Sequence, residues 1–347
     1  MASSNTTVKQ WVVTGKDRGF DGLELKDVPL PKLGDNDVLV KLEAASLNYR
    51  DLIIPLGKYP FPTKFPVVAA SDGAGEVAAV GPRVTGWKKG DKVVTLFNQG
   101  HQFGEVDFHS VGTGLGGVLD GTLRQYGVFN ENGLVRAPAN LNSLESSTLS
   151  CAALTSWNAL YGLRPVKAGD TVLVQGTGGV SMFALQFAKA AGARVIATTS
   201  SAEKAERVLK LGADHVINYR EDANWGETAR KLTPGGVGVD FVIEVGGADT
   251  MEHSLAAIKF GGIICVIGFL GGAKPKSSMM EVLNKICTVR GVYVGSRALM
   301  EDMVKAIEAN DIHPVVDEKI FQLGQAKEAY EYMWAKKHFG KLVINIE

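Results

Sequence analysis

Hydrophobic positions along the 347-residue chain change period partway through. Up to about residue 136 they fall in short alternating runs, at 9–14, 38–45, 73–80 and 92–96, separated by Pro, Gly, Asp and Asn. Such runs read as the strands of a small, coiled, β-rich domain. Residues 144–163 have helical spacing, and 165–170 form a connector. From Thr171 onward, strand-length apolar runs alternate with helix-patterned segments. The runs at 172–174, 194–198, 215–218, 241–244, 263–267 and 289–294 predict six strands of a parallel sheet with helices between them. The first of these is Val172-Leu173-Val174, unbroken in its apolar character, as an inner strand covered on both faces must be. A helix is predicted over 299–309, and a final strand over 341–346 that returns to the first domain.

The first parallel strand leads into Gly176-Thr177-Gly178-Gly179-Val180-Ser181 and then a helical run. Gly176 permits a tight turn, and Gly178 removes a side chain where backbone must approach a pyrophosphate. The helix start then offers free N–H groups and a positive dipole end to that anion. Ser181 stands where the usual pattern has a third glycine. Gly192-Ala193 ends the helix and a second strand follows, completing the strand–helix–strand unit that this fingerprint requires. After the second strand, an NAD-selective fold carries an acid for the ribose 2′-hydroxyl. Here Thr199 occupies that place, followed by Ser200, Ser201 and Lys204. The serines can donate to a 2′-phosphate and Lys204 can neutralise one, with Tyr219 adding a hydroxyl after the third strand. This points to NADPH. Ligands of such sheets lie beyond the carboxyl ends of the strands, so Gly246, Phe269, Leu270, Val294, Ser296 and Arg297 are expected around the cofactor.

Composition narrows the rest. Lys+Arg and Asp+Glu both number 37, so no net field favours nucleic acid or an anionic membrane. No apolar run approaches the roughly 20 residues of a membrane span. Only Cys151, Cys265 and Cys287 are present, far apart, and the first residues lack a signal-peptide core. A reducing, cytoplasmic compartment is expected.

The order of parts resembles the medium-chain dehydrogenase/reductases along nearly the whole chain. The resemblance is carried by residues 46–51, 70–77, 86–91, 120–123, 151–157, 176–181 and 211–214. Within that family the chain is similar to the zinc-independent quinone and enoyl reductase branch. The fold implied is α/β: a GroES-like β-rich barrel domain over 1–136 and 299–347, and a Rossmann doubly wound six-stranded parallel sheet over 137–298. Zinc-dependent members hold their metal with Cys, His and Cys or Asp. Asn48 stands at the first of these positions, the second (in the stretch before Gly75) is not His, and Cys151 matches the third. No structural four-cysteine lobe is present, and His101 and His109 on the glycine-rich segment 98–117 make a poor metal pair, so no metal is expected.

The resemblance also implies site residues. Tyr59, after Gly57, matches a substrate-site tyrosine and can supply a proton or hydrogen bond to the acceptor. Asn48 matches a position near the nicotinamide ribose, and Lys341 a C-terminal basic position near the cofactor. Arg50 can pair with Asp72, and Asp51 can hold the backbone at the helix start. Residues 98–117 form a long loop, read as a wall or lid of the substrate cleft. The expected activity is reduction of a conjugated carbonyl or quinone with NADPH, the alternatives being a carbonyl reductase or alcohol dehydrogenase and a cofactor-binding protein with a non-redox role. The expected partner besides a small substrate is a second copy, joined through the edge of the Rossmann sheet.

Overall fold

The computed structural model describes residues 7–269 and 279–347. The chain forms two units, residues 1–154 with 295–347, and residues 155–294. These bounds differ from the 136/137 and 298/299 divisions expected from sequence. Residues 143–147 are tied into the first unit, where Ser143 Oγ bonds Glu43 and Ser46 Oγ donates to Ser147 O at 3.1 Å.

In the first unit, among the described residues, strands Thr7–Val13, Leu23–Pro29 and Val67–Val68 make a three-stranded sheet. A larger sheet is built on the long strand Asp37–Leu47, with Asp72–Val80 and Tyr126–Asn130 antiparallel to it. Leu342–Asn345 also pairs antiparallel with that strand, placing Leu342 opposite Leu47. The expected C-terminal return is therefore observed, and it sets Lys341 beside the end of the central strand. Apolar residues alternating inward from these strands, among them Val38, Val40, Leu42 and Leu47, form the core together with Phe321 and with Tyr330 of the helix Ala326–Trp334.

Among the described residues, the second unit has six parallel strands in the order His215–Asn218, Arg194–Thr199, Thr171–Gln175, Val239–Glu244, Ile258–Val266 and Thr288–Gly291. The chain starts in the middle, winds to one edge and then to the other. That is the doubly wound order with a topological switch beside the first strand. Every residue of Thr171–Gln175 is buried, which accounts for its unbroken apolar run.

Two predicted elements take a different form. The helical pattern at 144–163 resolves into Ser143–Ser146, a wide π turn Leu149–Ala153 and Leu154–Tyr161. Ser147 Oγ and Thr148 Oγ1 bond back to the carbonyls of Leu144 and Glu145 and compete with the regular ladder. The sixth strand ends at Gly291 rather than 294, and Val294 sits at φ 51°, a left-handed conformation that a strand cannot continue through.

Candidate active and cofactor sites

In the unit 155–294, the glycine turn is built as its sequence requires. Gly176 has φ 71°, and its N–H donates to Thr198 O at 2.9 Å, folding the turn back on the neighbouring strand. A Cβ at Gly178 would meet no atom within 4 Å, so the space that a pyrophosphate needs is open. The helix Gly179–Ala190 begins at Gly178 with no side chain capping it, leaving the N–H groups of its first turn, from Gly179 and Val180 onward, for a ligand. Ser181 takes the third glycine's place without crowding, because its buried Oγ donates to Gln175 O at 2.6 Å.

Beyond the second strand, Thr199 is buried and neutral, and Ser201 caps the helix Ala202–Lys210 by accepting Lys204 N–H at 3.4 Å. Ser200 and Lys204 flank it, half-buried, and Tyr219 is 44% exposed after donating its N–H to Thr199 O at 3.0 Å. Ser200, Ser201, Lys204 and Tyr219 thus follow the ends of two neighbouring strands. Thr177 lies in the turn itself.

A group that the sequence reading missed organises the same end of the sheet. Glu244, fully buried, accepts hydrogen bonds from Gly246 N–H at 2.8 Å, Gly247 N–H at 2.9 Å, Gln175 Nε2 at 2.8 Å, and the hydroxyls of Thr250 and Ser254. Five neutral donors hold one carboxylate and so fix the expected cofactor loop at Gly246. Phe269 follows the fifth strand, directly after Gly268. Leu270 lies outside the described residues. Val294 O already accepts Asn158 Nδ2 at 2.7 Å.

In the other unit, two short segments and the C-terminal strand bring together a buried polar cluster. Asn48 starts the helix Tyr49–Ile53, and Asp51 Oδ2 accepts the Asn48 N–H at 2.8 Å, as expected. Ala70 turns the chain at φ 62°, and the adjoining backbone comes so near that a Cβ at Gly121 would fall 1.8 Å from Ala70 O. That turn sets Ser71 and Asp72 against Asn48. The Lys341 ammonium donates to Asn48 Oδ1 at 2.6 Å, Leu47 O at 2.9 Å and Asp72 Oδ2 at 3.2 Å, with Lys341 3% exposed and Asp72 0%. Ser71 Oγ donates to Asp72 Oδ1 at 2.8 Å, and Asn48 Nδ2 lies 3.4 Å from Ser71 Oγ.

Arg50 does not pair with Asp72. It donates to Asp51 Oδ1 at 3.1 Å and to Leu115 O at 2.9 Å, because the ammonium has taken Asp72. Its guanidinium lies 5.0 Å from the Tyr59 ring centre and 4.8 Å from that of Phe97. Burial works against the charge on Arg50, and Tyr59 and Asp51 outweigh it, so its pKa is raised. Desolvation lifts the Asp51 carboxyl to about 6, with Arg50 opposing and Asp72 reinforcing the rise. Desolvation also pushes the Cys151 thiol well up, Asp72 adding to it. Tyr59 packs against the core beside Phe61, half-buried.

The remaining expected residues of this unit have local roles. Ser296 Oγ accepts Leu299 N–H at 3.3 Å and caps Arg297–Ala309. Arg297 pairs with Glu301 at 3.2 Å and lines an open groove of about 500 Å³ with Trp87, Arg136 and Glu308. The loop at 98–117 is tied by a bridge of Asn98 to Gly114 and by Leu115 O, held on Arg50.

The donor set around Asn48 does not fit a zinc ion. An amide whose oxygen is occupied, a serine hydroxyl turned to a carboxylate and a thiol held protonated are poor ligands, and an ammonium already stands among them. Among the described residues, no group of three His, Cys, Asp or Glu side chains is arranged to hold a metal ion.

Residues 34–139 match the alcohol dehydrogenase GroES-like domain, and residues 179–309 match the family described as zinc-binding dehydrogenase. A zinc-type alcohol dehydrogenase-like protein of Schizosaccharomyces pombe is 49% identical, covering 97% of this chain and 99% of the relative. Acryloyl-coenzyme A reductase of Sulfurisphaera tokodaii is 29% identical over 97% of this chain and 99% of its own length. Among solved structures, a protein titled a putative alcohol dehydrogenase from Sinorhizobium meliloti superposes with a TM-score of 0.91, at 39% identity and full coverage of both chains. A mycobacterial protein solved in complex with NADPH superposes with a TM-score of 0.81, at 28% identity over 98% of this chain and 100% of that one.

Proposed function

Because the chain belongs to the medium-chain dehydrogenase/reductase superfamily, an oxidoreductase family, we propose that it is an NADPH-dependent, metal-independent reductase of conjugated carbonyl compounds, α,β-unsaturated ketones or aldehydes, or quinones. The observation that carries this reading is the cluster around Asn48, which supplies hydrogen-bond donors and a fixed positive charge rather than ligands for a Lewis acid. The acryloyl-coenzyme A reductase likeness supports the conjugated acceptor, and the NADPH-complexed likeness supports the cofactor.

Bound NADPH would supply the hydride. The open Gly178 turn and uncapped helix start take its pyrophosphate; Ser200, Ser201, Lys204 and Tyr219 take its 2′-phosphate. In a conjugated acceptor, hydride arrives at carbon and charge grows on oxygen, so neutral donors suffice to stabilise it. Tyr59 donates its phenolic hydrogen bond to that oxygen, with the Arg50 guanidinium over its ring, and Asn48 offers its amide hydrogen. The proton then comes from Tyr59 or from water ordered by it.

Two further proposals follow from the same chain. The second unit presents an edge strand, Thr288–Gly291, beside the exposed side chains of Phe260, Met280, Leu283, Ile286 and Val289. An apolar edge of this kind calls for cover, and a second copy pairing isologously supplies it. The three cysteines are free, supporting a reducing, cytoplasmic setting; no helix of the described residues is long and apolar enough to cross a membrane.

The test is oxidation of NADPH and of NADH against enones, quinones, saturated ketones and aldehydes, with and without chelator, with product identification. Turnover of enones or quinones with NADPH, undiminished by chelator, is expected. Turnover confined to simple carbonyls would replace the reading with a carbonyl reductase or alcohol dehydrogenase. Tight NADPH binding with no acceptor reduced would replace it with a non-redox role.

A further inference from the structure

We infer that Asn158 is a positioning residue for the nicotinamide half of the cofactor, acting through the Val294 carbonyl, and that Arg290 of the edge strand holds Asn158 to that task. The inference rests on the reading of residues 155–294 as a nicotinamide-cofactor unit, and not on which acceptor is reduced. The sheet gives the place. Its first strand, Thr171–Gln175, carries the glycine turn proposed for the pyrophosphate. On one side of it, Arg194–Thr199 and His215–Asn218 lead to the residues proposed to take the 2′-phosphate. A dinucleotide laid across the carboxyl ends from that side extends its other half over Val239–Glu244, Ile258–Val266 and Thr288–Gly291. Val294 lies just beyond the last of these.

Val294 is held where a valine does not settle unaided. Its φ of 51° is left-handed, a region that β-branched residues disfavour, and the residue is buried. Its carbonyl is fixed by Asn158 Nδ2 at 2.7 Å. Asn158, also buried, is fixed in turn by Arg290, whose Nη2 donates to Asn158 Oδ1 at 2.9 Å and whose Nη1 donates to Asn158 O at 3.0 Å. A guanidinium has no acceptor, so the amide oxygen must face it and the amide nitrogen must face the Val294 carbonyl. Capping the end of the helix Leu154–Tyr161 would need only the bond to Asn158 O. The space for the rest is kept by Gly162, where a Cβ would collide with Asn158 Oδ1 and come within 3.1 Å of Arg290 Nη2. Cys265, opposite Arg290 in the sheet register, meets the same stretch of helix, its Sγ 3.3 Å from Ala159 O. The strand end and the helix are thus packed together, and the amide between them has one orientation.

The experiment compares wild type, Asn158→Asp, Gly162→Ala and Arg290→Met by calorimetric titration with two ligands, folding being checked by circular dichroism. The ligands are NADPH and adenosine 2′-phosphate 5′-diphosphate, which carries the adenine, 2′-phosphate and pyrophosphate but no nicotinamide. Asn158→Asp keeps an acceptor for Arg290 and removes the donor to Val294, so it isolates the bond in question. Wild type is expected to bind NADPH more tightly than the shortened ligand. In Asn158→Asp, NADPH binding should weaken about 5- to 10-fold, with the shortened ligand unchanged within about 2-fold. Gly162→Ala and Arg290→Met should shift the same way by a smaller factor, and they decide should Asn158→Asp not fold. Equal weakening of both ligands would overturn the inference, since a residue that only stabilises the fold moves both; so would no change in either. A wild type that binds NADPH no more tightly than the shortened ligand would overturn it as well. If wild type prefers NADH, the same comparison with NADH and ADP decides, and only the NADPH assignment fails. The expected shifts in a protein that reduces no acceptor would sink the reductase reading and leave this one supported.

Discussion

Asp51 carries two loads with one carboxylate, the Asn48 backbone N–H and the Arg50 guanidinium. Its folded pKa, raised by desolvation from 3.8 to about 6, means that the native state binds its proton more tightly than the unfolded chain does. The contribution of Asp51 to stability is therefore greatest below about pH 4 and declines as pH rises to about 6. Urea midpoints of wild type and Asp51→Asn should diverge across that window. The wild type loses ground relative to the variant as pH rises, by an amount of order a few kcal/mol in all. A constant difference from pH 4 to 7 would show that the carboxyl titrates normally. At this scale the hold of Asp51 on the Asn48 backbone was legible in the sequence, because it lies within one short local pattern. It did not announce that Arg50 turns to Asp51 instead of Asp72, since that choice is made by Lys341.

Among elements, the strand Val239–Glu244 shows how a sheet end fixes the loop that follows it. Its last residue is a buried acid that accepts from five neutral donors. Glu244→Gln replaces one accepting oxygen by an NH₂ that faces those donors. A loss of about 2–4 kcal/mol is expected, from donors left without an acceptor. The melting temperature should fall by several degrees, with weaker NADPH binding in a fluorescence titration, because the Gly246–Gly247 turn loses its anchor. An unchanged melting temperature would mean that the carboxylate is dispensable to the turn. The glycine turn after Gln175 was legible because its requirements are local: a positive φ at Gly176 and open space at Gly178. The sixth strand was overextended because its apolar pattern runs on past Gly291, while the backbone at Val294 does not permit a strand.

For the molecule as a whole, the apolar edge beside Thr288–Gly291 is the feature with the largest consequence. Leu283 and Ile286 are 64% and 65% exposed, an unusual exposure for side chains of this size beside the edge strand of the described sheet. Light scattering at micromolar concentration should report two chains per particle. Leu283→Lys/Ile286→Lys should give a single chain with unchanged circular dichroism. A monodisperse wild-type monomer would remove the dimer proposal.

The sequence by itself determined the class of each domain, the course of the parallel sheet and the place of the glycine turn after its first strand. These follow from the period of apolar residues and from glycines whose backbone needs are met within a few positions. Tertiary structure alone decided the chemistry around Asn48. Lys341 and Asp72 are 269 residues apart and meet only because the last strand returns to Asp37–Leu47. Pairings of that range leave no periodic trace in a single chain. Gln175 and Glu244 meet for the same reason, as neighbouring strands of one sheet separated by 69 residues of sequence.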